Sequence, residues 1–281
     1  MKLNNGLQMP DIGLGGCMVP GGIRSGFRIA NAQKKIYHYA FHKGCKLYDT
    51  SSSYLRNEEI LGKAIAKEGN REQVFLMVKI SNKEQRTRDI KKVVADILSR
   101  LQTTYIDMLV LHWPLPDHFI DSWLAMEKLV QEGIVKSLGV SNFHEHHLEA
   151  LLKVATIPPA INQIEVHPFL TQKPLIAYCK EKNIGIVSYS PLARMHDVLM
   201  NTKTLRSLAK KYKKSIPQII IRWNIQLGIV PIPRTTKPHH LDEFMEAFHF
   251  TLTEEEMRAI DALNENIRLR YNPDTCDMDL I

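Results

Sequence analysis

Eight short β-rich runs recur along the chain, each followed by a longer segment of helical period. This alternation restricts the fold to a parallel sheet with crossover helices. The runs are Ile12 to Gly15, Lys46 to Asp49, Phe75 to Lys79, Met108 to His112, Ser137 to Ser141, Ile161 to Gln163, Gly185 to Tyr189, and Ile229 to Pro231. Between them Ile90, Val93, Val94, Ile97, Leu98 and Leu101 recur at steps of three and four, as do Leu148, Leu151, Leu152 and Ala155; these read as barrel-wall helices. Eight such units can close into a barrel or open into a doubly wound sheet. No GxGxxG opens the first helix, Gly13-Leu14-Gly15-Gly16 being only a fragment of it, and polar residues end nearly every run. Both features favour a closed α/β barrel of the (β/α)8 TIM type. The 281 residues suit one such domain, which usually takes about 250.

Ahead of the first unit, Lys2 to Pro10 reads as a small β-hairpin turning at Asn5-Gly6, placed to cap the barrel floor. Thr253-Glu254-Glu255-Glu256 is a capping box for a last amphipathic helix through Met257, Ile260 and Leu263, and the tail from Arg268 has no periodicity. Hydrophobic residues make up 44% and charged residues 24%, which excludes disordered and fibrous classes. No apolar run reaches the roughly 18 residues that span a bilayer, and Met1 to Gly6 lacks a signal peptide's apolar core. The expectation is a cytoplasmic protein without a membrane partner. Cys17, Cys45, Cys179 and Cys276 show no CxxC spacing, so neither a metal site nor a disulfide framework is expected and the thiols read as reduced. The net charge of +7 draws much from Lys203 to Lys214. That stretch places Leu205, Leu208 and Ala209 on one helical face and its cations on the other, which is a solvated helix and not a nucleic-acid surface. The charge is weak support for an anionic cofactor.

Barrel enzymes build their sites where strands enter the following loops. Here the second run ends in Asp49, with Tyr54 five residues on; the third ends in Lys79, the fourth in His112, the fifth in Ser141-Asn142, the sixth in Gln163, the seventh in Tyr189. An ammonium beside a phenol stabilises phenolate and lowers its pKa, and a carboxylate keeps a buried ammonium charged. Lys79 and Asp49 are expected to do this for Tyr54, with His112 orienting a carbonyl that Tyr54 protonates. Taken singly, Asp49-Thr50-Ser51 reads as a helix-approach turn, and His112 reads equally as a satisfied core histidine or as a functional one. Lys79 is harder to dismiss, since a lysine ending an apolar strand is seldom buried without a partner.

These segments resemble the aldo-keto reductase family over about Leu3 to Leu263. Tyr48-Asp49-Thr50-Ser51-Ser52-Ser53-Tyr54 with Asn57-Glu58 is similar to its Asp-Thr-Ala to Tyr segment, and Tyr105 to Pro114 to its histidine strand. Gly139 to Phe143, Asn162 to Pro168 and Ser188-Tyr189-Ser190-Pro191-Leu192 are similar to its cofactor segments. The resemblance implies an NAD(P)H-dependent oxidoreductase that reduces aldehyde or ketone carbonyls reversibly, with Asp49, Tyr54, Lys79 and His112 as catalytic tetrad. It implies that Ser141, Asn142 and Gln163 hold the nicotinamide carboxamide, that Tyr189 stacks on the ring, and that Ser190 and Leu192 line the cofactor. Pro233-Arg234-Thr235-Thr236 resembles the segment for the adenosine end, where Arg234 and Thr235 suit a 2′-phosphate.

The chain departs from the family in two places. His240 and Phe244 stand where an arginine and an asparagine are common, which weakens the preference for NADPH and leaves NADH possible. Gly16-Cys17 replaces a threonine and an aromatic, so Cys17 and Trp113, with the tail after Arg268, are the expected substrate walls. The expected partner is a small-molecule carbonyl, and the expected state a monomer or weak homo-oligomer. Two further readings stay open: a Schiff-base lyase using Lys79, which Asp49 argues against by holding the amine charged, and a cofactor-binding regulatory barrel without turnover.

Overall fold

In the computed structural model, residues 1–16, 23–54, 56–68, 71–279 and 281 are described, without the side chains of 23–27. Eight strands run β1 (Gly13–Gly15), β2 (Leu47–Ser51), β3 (Phe75–Ile80), β4 (Met108–Leu111), β5 (Leu138–Ser141), β6 (Ile161–Glu165), β7 (Gly185–Tyr189) and β8 (Val230–Pro231). They pair in parallel in chain order. The ring closes where Gly15 N–H, at the end of β1, donates to Pro233 O just past β8 at 3.0 Å. The sheet is therefore a barrel and not an open doubly wound layer.

The side-chain period of two in a strand decides what faces inward. Leu47, Phe75, Met77, Met108, Val110, Ile161, Val187 and Val230 share one buried cluster, the lower barrel interior. The alternate residues Tyr48, Leu76, Val78, Leu109, Leu111, Val140, Ile164 and Ile186 belong to a second cluster with the surrounding helices. Continuing the inward parity upward from Leu47, Met77, Val110, Ile161 and Val187 reaches Asp49, Lys79, His112, Gln163 and Tyr189. The apolar floor and the polar mouth thus belong to the same face of the same strands.

Leu3 and Met9 are buried in that lower cluster. Lys2 and Gln8 form an antiparallel bridge, and Gly6 N–H donates to Leu3 O at 3.0 Å with Gly6 at φ +87°. The turn is centred on Asn4-Asn5, one residue before the expected Asn5-Gly6, because the glycine takes the left-handed position that closes it. Three strand ends also lie later than read: β2 runs to Ser51, β3 to Ile80 and β6 to Glu165. Polar residues there continue the ladder because their neighbours' backbones remain in register, Ser51 against Lys79 and Glu165 against Tyr189.

The helix Ile90–Leu101 buries Ile90, Val93, Val94, Ile97 and Leu101 and is capped by the Asp89 side chain accepting from Lys92 N–H at 3.0 Å. The helix Glu254–Asp261 has both halves of its capping box, Thr253 with Glu256. In Lys203–Tyr212, Leu205 and Leu208 are buried while its cations lie outward, most of them exposed.

Candidate active site

Asp49 and Lys79 meet as a buried ion pair, their side chains 3% and 1% exposed. Burial works to lower the Lys79 pKa, but the Asp49 carboxylate and the Tyr54 phenol outweigh it, so the value is raised and the ammonium stays charged. Lys79 also faces Tyr54, its Nζ 5.2 Å from the Tyr54 ring centre.

Tyr54 is set by the turn from β2 into the helix Asn57–Glu68: its N–H donates to Ser51 O at 2.9 Å, and its carbonyl accepts from Asn57 N–H at 2.8 Å. Thr50 Oγ1 donates to Asn57 Oδ1 at 2.7 Å and locks the same turn. Gly16 backs it, since a Cβ there would lie 2.7 Å from Asp49 O and 3.1 Å from the Tyr54 ring. The expected lowering of the phenol pKa does not occur. Burial pushes Tyr54 above its ordinary value, and the opposing pull of Lys79 is the smaller effect. The phenol is therefore protonated at neutral pH, the form a proton donor needs.

The His112 ring stands 6.0 Å from the Tyr54 ring at 85°. Its Nδ1 lies 3.2 Å from Ser51 Oγ, which leaves Nε2 for a ligand. Burial, then the charges of Lys79 and Arg270, hold its pKa well below 6.5, so the imidazole is neutral. Trp113 is buried, stacks 6.4 Å from His112, and meets Tyr271 of the tail edge-on at 6.5 Å. Cys17, the other expected wall residue, lies outside the described residues.

The expected nicotinamide residues form one connected set. Gln163 Nε2 donates to Asp49 Oδ1 at 2.9 Å, Ser141 Oγ to Gln163 O at 2.8 Å, and Asn142 Nδ2 to Ser141 Oγ at 3.1 Å and His112 O at 3.0 Å. Tyr189 OH donates to Asn142 Oδ1 at 2.7 Å, fixing a half-buried ring. Asn142 has φ 63°, a left-handed conformation that asparagine tolerates better than most residues. A planar ring edged by two amides and a hydroxyl fits a nicotinamide. Ser190, also left-handed at φ 48°, and Leu192 follow in the loop, both half-buried.

Beyond β8, Arg234 and Lys237 are exposed cations, and Thr235 Oγ1 accepts from Lys237 N–H at 3.0 Å while lying 3.3 Å from His240 Nδ1. This donor set suits a phosphate. Burial, then His239, lowers the His240 pKa, so His240 adds no charge at neutral pH. Lys237 was not among the residues read from sequence; its signal was a cation one residue past the Arg-Thr-Thr run.

Glu165 was also missed. Fully buried at the end of β6, its carboxylate accepts from Leu269 N–H at 2.8 Å, Arg270 N–H at 3.0 Å and the His167 ring at 3.0 Å. It fastens the aperiodic tail over the barrel mouth. Farther along, His144 Nδ1 lies 2.7 Å from Asp274 Oδ2, with His146 and His147 beside them.

The family model described as "Aldo/keto reductase family" matches residues 11–265. A glyoxal reductase from Bacillus subtilis (strain 168) is 40% identical over 275 residues, 98% of this chain and 96% of the relative. The methylglyoxal reductase DkgA of Escherichia coli (strain K12) is 36% identical over 277 residues, 98% of this chain and 96% of the relative. The crystal structure of a Bombyx mori aldo-keto reductase in complex with NADP superposes with a TM-score of 0.87 at 30% identity, covering 98% of this chain and 95% of that one.

Proposed function

The chain belongs to the aldo/keto reductase family, and we propose that within it Tyr54 protonates the carbonyl oxygen, Lys79 and Asp49 hold the field at the phenol, and His112 orients the substrate. The protein is an oxidoreductase that reduces carbonyl compounds with NADPH. The bound nicotinamide supplies the hydride. The observation that carries the assignment is the meeting of Lys79 with both Asp49 and Tyr54 beside a neutral His112. Neutral His112 points a ring nitrogen, not a competing acid, at the carbonyl oxygen, and protonated Tyr54 gives its hydrogen as negative charge develops there. Lys79 then stabilises the phenolate, and Asp49 keeps Lys79 from serving as a neutral amine nucleophile, which disfavours the lyase reading.

Ser141, Asn142, Gln163 and Tyr189 would hold the nicotinamide, Ser190 and Leu192 would flank it, and Arg234, Thr235 and Lys237 would take the phosphate, with neutral His240 a weaker partner. Small aldehydes and dicarbonyls such as glyoxal and methylglyoxal are the first substrates to try, after the two relatives. One domain is supported by the continuous sheet from β1 to β8. Among the described residues no helix is long and apolar enough to cross a membrane. A cytoplasmic monomer or weak homo-oligomer fits the free, mostly buried Cys45, Cys179 and Cys276. The test is NADPH oxidation followed with these aldehydes for the native chain and Tyr54→Phe. Loss of turnover by about 10²-fold or more with NADPH binding retained is expected, and a fully active variant removes Tyr54 from its role.

A further inference from the structure

Two residues past Asp49 on the same inward face of β2, Ser51 ends the strand with its side chain against His112. It stands where the family's Asp-Thr-Ala segment has its alanine, so the hydroxyl departs from that pattern. The residue is fully buried, and a buried hydroxyl has one hydrogen and two lone pairs to place. Four groups surround it: Ser53 N–H at 3.3 Å, Ser53 Oγ at 2.9 Å, Lys79 O at 3.3 Å and His112 Nδ1 at 3.2 Å.

The His112 backbone is held at both ends, its N–H on Ile80 O at 3.1 Å and its carbonyl accepting from Asn142 Nδ2 at 3.0 Å. The ring meets Tyr54 edge-on and Trp113 face to face, contacts that set its plane without choosing between its nitrogens. Among the described residues Ser51 Oγ is the one hydrogen-bond partner of either ring nitrogen. The neutral ring carries a single proton, and the partner of Nδ1 decides which nitrogen holds it. Ser53 offers two donors for the lone pairs of Ser51, its N–H and its hydroxyl, the hydroxyl being the shortest of the four contacts. Lys79 O already accepts from Ser52 N–H at 3.4 Å. The Ser51 hydrogen then goes to His112 Nδ1, and the ring proton sits on Nε2. The reverse arrangement, Nδ1–H donating to Ser51, turns a bare Nε2 lone pair toward the carbonyl oxygen and repels it.

We propose that Ser51 is a positioning residue: its hydroxyl donates to His112 Nδ1 and so fixes the tautomer that presents Nε2–H to the carbonyl oxygen opposite Tyr54. This rests on the reductase reading above and deepens it, naming what gives His112 its polarity. No proton leaves Ser51 during the reaction. The hydroxyl holds Nδ1 in place while the hydrogen bond from Nε2 strengthens with the charge that develops on the oxygen.

The experiment uses Ser51→Ala in the full chain, because alanine removes the hydroxyl without adding bulk. With methylglyoxal and saturating NADPH, kcat should fall by about tenfold, the worth of one hydrogen bond, while KM changes less and NADPH affinity stays as it was. Heteronuclear NMR of isotope-labelled histidines in the NADP complex, with His112→Gln to assign the ring, reads the tautomer directly. The native ring should be protonated at Nε2 alone, and Ser51→Ala should populate both tautomers. A native ring protonated at Nδ1, wholly or in part, overturns the proposal, as does a Ser51→Ala protein with native kcat. A slower Ser51→Ala protein whose His112 keeps the native tautomer overturns it too, because the hydroxyl then only packs. If the native chain binds NADPH but reduces no aldehyde, the reductase reading itself fails and this proposal with it.

Discussion

Removing Lys79 separates what the buried ion pair does for the fold from what it does for the chemistry. In Lys79→Met the Asp49 carboxylate, 3% exposed, keeps among the described residues only the side-chain donor Gln163 Nε2, at 2.9 Å. Leaving one member of a buried pair uncompensated costs about 3–5 kcal/mol, enough to lower Tm by on the order of 10 °C in a chain of this size. The double variant Asp49→Asn/Lys79→Met has no stranded charge, and its amide oxygen still accepts from Gln163, so most of that stability should return. Activity should not. Without the ammonium the main offset to the burial that holds the phenol above its ordinary value is gone, and both variants should lose about 10²–10⁴-fold in kcat/KM. Thermal unfolding and steady-state NADPH oxidation on the native chain, Asp49→Asn, Lys79→Met and the double variant read both quantities. A double variant no more stable than Lys79→Met would show that the two charges are not coupled in the fold, and an active double variant would remove the pair from the proton-transfer step.

Other consequences can be checked directly. Arg234→Leu should raise the KM for NADPH by about tenfold, the worth of a charged hydrogen bond, and leave NADH within about twofold; equal changes for both would move the 2′-phosphate elsewhere. Burial, then His146, holds the His147 pKa down to about 4. The folded state therefore stays unprotonated there while the unfolded chain takes a proton near 6.5. Stability from this site is complete above about pH 6.5 and is lost as pH falls through the window to about 4. His147→Asn, which can still accept from His144 N–H, should shrink the stability difference between pH 7 and about 4.5 by about 2 kcal/mol, measured against a background from His144, His146 and Asp274. Glu165→Leu strands the N–H groups of Leu269 and Arg270, so amide exchange at both should quicken and substrate KM should rise without a change in NADPH affinity.

Much of the fold and of the catalytic set is legible in the order of residues, because both follow from local period. Alternation along Phe75, Met77 and Lys79 puts the lysine on the same face as two apolar residues, and the same parity in β2, β4, β6 and β7 aims Asp49, His112, Gln163 and Tyr189 at one mouth. Capping at Thr253 and Asp89 is likewise local, a side chain bonding a backbone group three residues on. What the order of residues by itself determined is therefore the repeating unit, the inward face, and which chemical groups that face presents.

The tertiary structure alone decided how those groups interact and what lies over them. The sign of the Tyr54 shift depends on how much water the closed mouth excludes, a sum over many elements that no local pattern encodes, and there desolvation exceeded the pull of Lys79. Glu165 fell beyond the run read as Ile161 to Gln163 and carried no signal of its own, because its partners, Leu269 and Arg270, lie over a hundred residues away in a segment with no period at all. A tail held by backbone hydrogen bonds to a buried carboxylate needs no side-chain pattern of its own, so the segment expected as a substrate wall gave no sign in the sequence of what anchors it.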